Sequence, residues 1–303
     1  MEILVTGGSG FVGRALCLGL RDRGHQVTVL TRSATAARGL PEGVGLCLGD
    51  PTRPGPWQEE AARHQGFINL AGASIFGRWT DDYKRQIHDS RVLSTRHLVQ
   101  AIARRPADQP SATLISASAV GYYGFRGDEA LDESAPPGDD FLARVCRDWE
   151  AEAQVAEALG ARVARTRFGI VLGGEGGALG QMLPLFRLGL GGPLGSGRQW
   201  FSWIHRRDLV DALLLCLDTP GIAGAVNCVA PGAVTNRELA RALGRALRRP
   251  AFLPAPGLAV RLALGEFGSV LLKGQRVAPR VLTTVGFTFA YPDLGRALAE
   301  LLG

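Results

Sequence analysis

The chain has 303 residues, 46% of them apolar and 20% charged, a globular balance sufficient for one large domain or one and a half. Its formal charge is +6, and of its 34 basic residues only Lys84 and Lys273 are lysines. That count excludes a Walker phosphate loop, because neither lysine follows a glycine. It leaves at most two candidates for Schiff-base chemistry. It also excludes a Tyr-x-x-x-Lys pair: four residues after Tyr83, Tyr122, Tyr123 and Tyr291 stand Ile87, Arg126, Gly127 and Gly295. No run of basic residues exceeds two and no nucleic-acid motif is visible. The charge therefore reads as arginine spread over the surface, a few residues serving a phosphate-bearing cofactor, with no nucleic-acid partner expected.

In chain order, residues 2–6 (EILVT) read as a buried strand and 11–23 carry apolar residues at helical spacing. Residues 26–30 and 44–48 are again strand-like, 66–70 (GFINL) form a fourth strand, and 80–105 a long amphipathic helix. Residues 112–117, a helix near 140–159, and 161–166 continue the alternation. Fully apolar strands separated by helices imply a parallel α/β sheet of Rossmann type, doubly wound, with both faces covered. After Gly173 the chain turns glycine-rich up to residue 197. WFSWIH at 200–205 reads as a strand, 206–218 as a helix capped by Asp208 or a neighbour, and 225–229 as a last sheet strand. The tail holds helices near 235–248, 257–272 and 293–302. The expected division is a Rossmann unit with substrate-loop insertions over 1–230 and a small, mainly helical lobe over 231–303.

Glu2 opens the first strand, so no leader peptide is expected, and no apolar run approaches the ~20 residues of a membrane span. Five widely spaced cysteines in apolar surroundings read as buried, reduced thiols of a cytoplasmic protein, with no metal site.

The strongest motif is TGGSGFVG at 6–13, where Gly7, Gly10 and Gly13 lie between a strand and a helix. Gly7 permits the tight turn, Gly10 lets backbone approach a pyrophosphate, and Gly13 lets the helix pack close to the strand. Phe11 and Val12 then open a helix whose free N–H groups face the phosphates. An NAD-binding unit usually ends its second strand with an acid that holds the ribose 2′-OH. Here the strand ends Leu30-Thr31-Arg32-Ser33. Arg32 can pair with a 2′-phosphate and Thr31 can donate to it, so the expected cofactor is NADP(H).

TGGSGFVG, NLAG at 69–72, SASAVGYYG at 116–124, RFGIVLG at 167–173, FRLGLGGPLGSGRQ at 186–199, WIHRRDL at 203–209 and LLKGQRVAPRVL at 271–282 span nearly the whole chain. On these motifs it resembles the extended short-chain dehydrogenase/reductases, the nucleotide-sugar epimerase/dehydratase group, and within it the atypical "epimerase family" branch. The resemblance implies that Leu70, Ala71 and Gly72 line the adenosine and ribose, and that Gln86 and Arg91 are polar cofactor contacts. It places Ser116 at the cofactor end of the fifth strand and Val171 on the nicotinamide side. Asp50 resembles the superfamily acid near the adenine, or is a plain turn residue.

The resemblance also implies a catalytic Ser beside a Tyr-x-x-x-Lys helix. The Ser falls at Ser118, but Leu142 and Cys146 stand where Tyr and Lys belong. Candidate replacement acids are Tyr122 and Tyr123. Arg187, Arg198 and His205 lie where the superfamily meets the rest of its substrate. The chain thus reads as an NADP(H)-binding oxidoreductase or epimerase on a small polar, anionic or nucleotide-linked substrate, and as a possible homodimer through the helices at 80–105 and 140–159. The rival reading is a non-catalytic NADP(H)-binding redox sensor or scaffold.

Overall fold

Seven apolar runs pair as parallel strands: β1 (Glu2–Thr6), β2 (Gln26–Thr31), β3 (Gly45–Leu48), β4 (Gly66–Asn69), β5 (Thr113–Ala119), β6 (Arg162–Phe168) and β7 (Gly224–Cys228). Their spatial order is β7-β6-β5-β4-β1-β2-β3, and every pairing is parallel. The structure is a computed structural model describing residues 1–174 and 176–303.

Successive residues of β1 serve opposite faces, as strand geometry requires. Ile3 and Val5 pack with Leu16, Cys17 and Leu20 of the Phe11–Asp22 helix and Leu209 and Leu213 of the Arg206–Asp218 helix. Leu4 joins Phe67, Leu98, Leu114 and Ala153 under the Asp81–Ile102 and Phe141–Gln154 helices. These two helices start at side-chain caps: Thr80 accepts from the Tyr83 N–H and Asp140 from the Ala143 N–H. The doubly wound order reverses between β1 and β4, which opens a crevice at their C-terminal ends.

Two elements differ from the sequence expectation. WFSWIH is not one strand. Trp200–Phe201 pairs antiparallel with Val234–Thr235, and Trp203–His205 pairs parallel with Ile170–Gly173. The change of partner falls at Ser202, whose carbonyl accepts from the Ile170 N–H and whose hydroxyl donates to Gln275 O at 2.7 Å and accepts from the Val277 N–H. The helix expected over 257–272 is two, Gly257–Leu264 and Glu266–Leu271, divided at Gly265 with φ 62°.

The helical C-terminal lobe does not build its core alone. Leu179, Leu183 and Phe186 of the Gly177–Arg187 helix pack with Leu239 and Leu243 of the Asn236–Leu247 helix and Leu298 of the Leu294–Leu302 helix.

Candidate active site

The glycine-rich turn follows β1 into the Phe11–Asp22 helix. Gly7 takes φ +69°, and a Cβ there would lie 2.7 Å from the Leu70 carbonyl carbon and oxygen. The turn after β1 and the NLAG turn after β4 therefore touch backbone to backbone. A Cβ on Gly13 would sit 2.3 Å from Gly7 O, so only glycine lets this helix approach its strand. Gly10 differs: a Cβ there would meet only Gly7 O, at 3.2 Å, and otherwise open space. The helix that follows has neither a side-chain cap nor an acid in its first turn, so its N–H groups are free for an anion. Phe11 packs beneath Gly173 and Gly177, and Val12 leans on the core.

A buried relay fixes this crevice. The Thr6 hydroxyl donates to Asn69 Oδ1 at 2.5 Å, and the Asn69 amide donates to Thr95 Oγ1 at 2.7 Å. The Ala71 N–H returns to Thr6 Oγ1 at 3.2 Å. Arg91 reaches the same turn, its guanidinium donating to Ala73 O at 3.0 Å and Ile87 O at 2.9 Å and standing over the Trp149 ring. It has no carboxylate partner among the described residues, and burial pulls its pKa below the ordinary value. Gly72 faces it: a Cβ there would lie 3.2 Å from the guanidinium carbon. Gln86 is exposed on the same helix.

At the end of β2, Thr31 is buried and its hydroxyl donates to Ser33 O, while Arg32 is exposed. Asp50 spends its carboxylate on the Thr52 N–H and hydroxyl, at 2.9 and 2.7 Å, which is a turn. Arg14, which the motif reading passed over, stands exposed with Nε donating to Ser9 O at 2.9 Å. Its position four residues after Gly10 was the available signal.

The catalytic half is arranged otherwise than the resemblance implies. Ser118 is 2% exposed and its hydroxyl donates to Glu150 Oε1 at 2.7 Å. Arg167 holds both oxygens of Glu150 and donates Nη1 to the Tyr123 hydroxyl at 2.9 Å. Tyr123, fully buried, donates onward to Asn227 Oδ1 at 2.6 Å. Burial pushes the Tyr123 hydroxyl up to about 12, against the opposing pull of Arg167. Burial alone would lower the Arg167 pKa, but hydrogen bonds and charge from Glu150 raise it. The expectation that Ser118 and Tyr123 face a substrate thus meets an inward geometry: both hydroxyls belong to a buried network. Glu150 and Arg167 are what sequence reasoning missed. The signal at Glu150 was a lone charge on the apolar face of its helix; Arg167 stands in a strand, RVARTRF, that already carries two other arginines and gave none.

Tyr122 is half-buried, with its ring face 3.5 Å from the Arg167 guanidinium carbon. Leu142 packs in an apolar cluster with Trp79, Phe141 and Phe267. Cys146 is buried, and burial pushes its thiol up to about 12, which disfavours the nucleophilic thiolate. Ser116 is 1% exposed, and its hydroxyl makes only a long bond to Ala117 O. Val171 lies half-buried on the Ile170–Gly173 strand.

Of the expected substrate contacts, Arg187 and Arg198 are exposed, one closing a helix and the other following Gly197. His205 is buried and does another task. It caps the Arg206–Asp218 helix through Nδ1, which accepts from the Arg207 N–H, and its Nε2 meets Glu300 at 3.0 Å. His205, not Asp208, is therefore the cap. Asp208 accepts the Ala290 and Tyr291 N–H groups. No cluster of metal-ligating side chains occurs among the described residues. No helix among them is long and apolar enough to cross a membrane.

Residues 3–228 match the model of the NAD dependent epimerase/dehydratase family. The chain belongs to that family. Residues 255–301 match a domain of unknown function, DUF1731. The chain is 40% identical over 305 residues to the chloroplastic SDR39U1 homologue of Arabidopsis thaliana, an epimerase family protein, covering 100% of this chain and 87% of that one. It superposes on the crystal structure of human epimerase family protein SDR39U1 (isoform 2) with NADPH at a TM-score of 0.85 and 37% identity, over 100% of this chain and 99% of that one. Its fold is also that of Thermus thermophilus UDP-glucose 4-epimerase, with a TM-score of 0.81 at 22% identity over 100% and 98% of the two chains.

Proposed function

We propose that the protein is an NADP(H)-binding atypical extended short-chain dehydrogenase/reductase, an oxidoreductase or epimerase on a small polar substrate that is anionic or nucleotide-linked. The observations that carry this reading are the open Gly10 face of the glycine turn and the exposed Arg32 at the end of β2, where an NAD-binding unit has an acid. These residues fit the cofactor. The free N–H groups after Gly10 suit its pyrophosphate, and Arg32 suits a 2′-phosphate. The backbone of Leu70–Gly72 suits the adenosine ribose, and the cation of Arg91 a neighbouring phosphate. The human relative whose structure includes NADPH supports the same choice.

When bound, the nicotinamide supplies or accepts a hydride. In this reading Tyr122 is the proton donor, because Tyr123 is already committed to Arg167 and Asn227. Ser118 positions the end of β5 through Glu150. Arg187 and Arg198 attract the anionic end of the substrate. The cofactor unit spans 1–230, and the lobe over 231–303 shares its core with residues of the Gly177–Arg187 helix. Five buried free cysteines fit a reducing compartment such as the cytoplasm.

A second reading, an NADP(H)-binding redox sensor or scaffold without turnover, is favoured by Leu142 and Cys146 standing at the Tyr and Lys positions.

Calorimetry with NADPH and NADH, on the wild type and Arg32→Ala, tests the cofactor. NADPH should bind more tightly, and the preference should vanish in the variant; tighter NADH binding unchanged by Arg32→Ala overturns it. NADPH oxidation screened against sugar nucleotides and carbonyl compounds, with Tyr122→Phe as control, tests the chemistry. Turnover lost in Tyr122→Phe supports the enzyme. NADPH binding without turnover on any of them supports the sensor.

A further inference from the structure

The C-terminal lobe carries an arginine-lined groove that plays no part in the cofactor turn or the Glu150 network. Between residues 219 and 265 the sequence has six arginines and a single acid, Glu238. Glu238 is engaged as a capping-box partner of Thr235. Arg237, Arg241 and Arg245 recur every four residues along the exposed face of the Asn236–Leu247 helix, a spacing at which like charges repel. Arg248 and Arg249 follow immediately.

Arg248 takes φ 53°, the only positive value at a non-glycine among the described residues. Glycine or asparagine would be unstrained there. The left-handed turn folds the next segment back over Gly244, where a Cβ would lie 2.6 Å from that of Ala251. The result is a groove of about 660 Å³ between the helix and residues 248–254, with Pro193 at its edge.

None of these five guanidinium groups lies within salt-bridge distance of a carboxylate among the described residues. Some arginines elsewhere on the surface do have such a partner, as Arg96 with Glu152 and Arg280 with Asp132 show; what sets these five apart is that all line one groove. Arg237 donates to Ser196 O at 2.7 Å and so fixes the Pro193 loop as one wall. Phe252, 79% exposed, and Pro254 form an apolar wall beside the cations. An exposed ring next to convergent guanidinium groups suits a ligand with a flat aromatic part and a phosphate part. The volume is that of a small-molecule site. The cations converge on one concavity instead of tracking a long stripe, which favours a small ligand over a nucleic-acid strand or a lipid surface.

We propose that this groove binds a nucleoside polyphosphate, with its phosphates on Arg241, Arg245 and Arg248 and its base against Phe252, independently of the cofactor turn. The test is calorimetric titration of ATP into protein already saturated with NADPH, so that the glycine turn is filled. The variants are Arg241→Glu/Arg245→Glu and Phe252→Ala; all three residues are exposed and outside the lobe core. ATP should bind one per chain. Affinity should fall at least tenfold in the double variant and severalfold in Phe252→Ala, with the thermal midpoint and NADPH affinity unchanged. The proposal is overturned if ATP at millimolar concentration gives no heat, or if the double variant binds ATP like the wild type. It is equally overturned if single-stranded RNA or phosphatidylserine vesicles bind through Arg241 and Arg245 while ATP does not. The NADPH titration that precedes each experiment reports on the cofactor reading separately.

Discussion

Arg167 grips Glu150 with two nitrogens, Nε on Oε1 at 2.7 Å and Nη2 on Oε2 at 2.8 Å, and each residue is only 3% exposed. The pair joins β6 to the Phe141–Gln154 helix. Through it Ser118 on β5 and Tyr123 just beyond are held in place. A two-pronged contact of this kind is among the stronger hydrogen-bonded geometries.

Breaking one side of that pair should be far more damaging than removing both. Glu150→Gln leaves the Arg167 charge buried without its counter-ion, and about 3–5 kcal/mol of stability should be lost in urea unfolding. The double variant Glu150→Leu/Arg167→Met should recover much of this. A loss below about 1 kcal/mol for the single change would mean that the pair is not buried as described.

The glycines of the turn should separate folding from binding. Gly13→Ala places a Cβ 2.3 Å from Gly7 O, so its thermal midpoint should drop by several degrees or more. Gly10→Ala meets only one atom, at 3.2 Å, and should fold nearly as the wild type does. Its NADPH affinity should nonetheless fall at least about tenfold, because the methyl group projects where a pyrophosphate must approach. Thermal unfolding and calorimetry on the same two proteins decide this, and unchanged NADPH binding by Gly10→Ala would count against the proposed site.

His205 should behave as a structural residue. His205→Ala removes the helix cap and the Glu300 contact, at about 1 kcal/mol for the cap. His205→Asn should restore most of the cap. Cofactor affinity should be unaffected in either, and a selective loss of binding or turnover with normal stability would return His205 to the site.

The cysteines should be inert in the native protein. All five are buried and free. Burial raises each thiol pKa, and pushes those of Cys17, Cys146 and Cys216 up to about 12. Buried and neutral, such thiols are poor nucleophiles. Brief iodoacetamide treatment should therefore add nothing detectable by mass spectrometry, and five adducts should appear after denaturation. Rapid native labelling at Cys146 would reopen it as a nucleophile.

Local pattern made the first strand, turn and helix readable. The apolar run of 2–6, the turn at 6–13 and the helix after it are adjacent in the chain, so periodicity and glycine spacing suffice. The absence of a Tyr-x-x-x-Lys pair was visible in the same way, since no lysine stands four residues after a tyrosine; that Leu142 and Cys146 occupy its positions is what the family resemblance implied. What misled was side-chain direction. Ser118 sits on the strand expected of it, yet its partner Glu150 lies 32 residues away and draws the hydroxyl inward. Tyr123 meets Asn227 across 104 residues, and His205 meets Glu300 across 95.

The amino-acid sequence by itself determined a doubly wound sheet with a glycine-rich turn after its first strand, an arginine where a ribose acid would stand, and no Tyr-x-x-x-Lys pair. Those properties follow from residue type and short-range spacing. Only the tertiary structure decided that Ser118 and Tyr123 are sealed into the Glu150–Arg167 network, that Tyr122 remains half-open, and that five arginines converge on one groove. A hydroxyl or a guanidinium points where its partner lies or where no partner exists, and that depends on which distant segments the fold brings together.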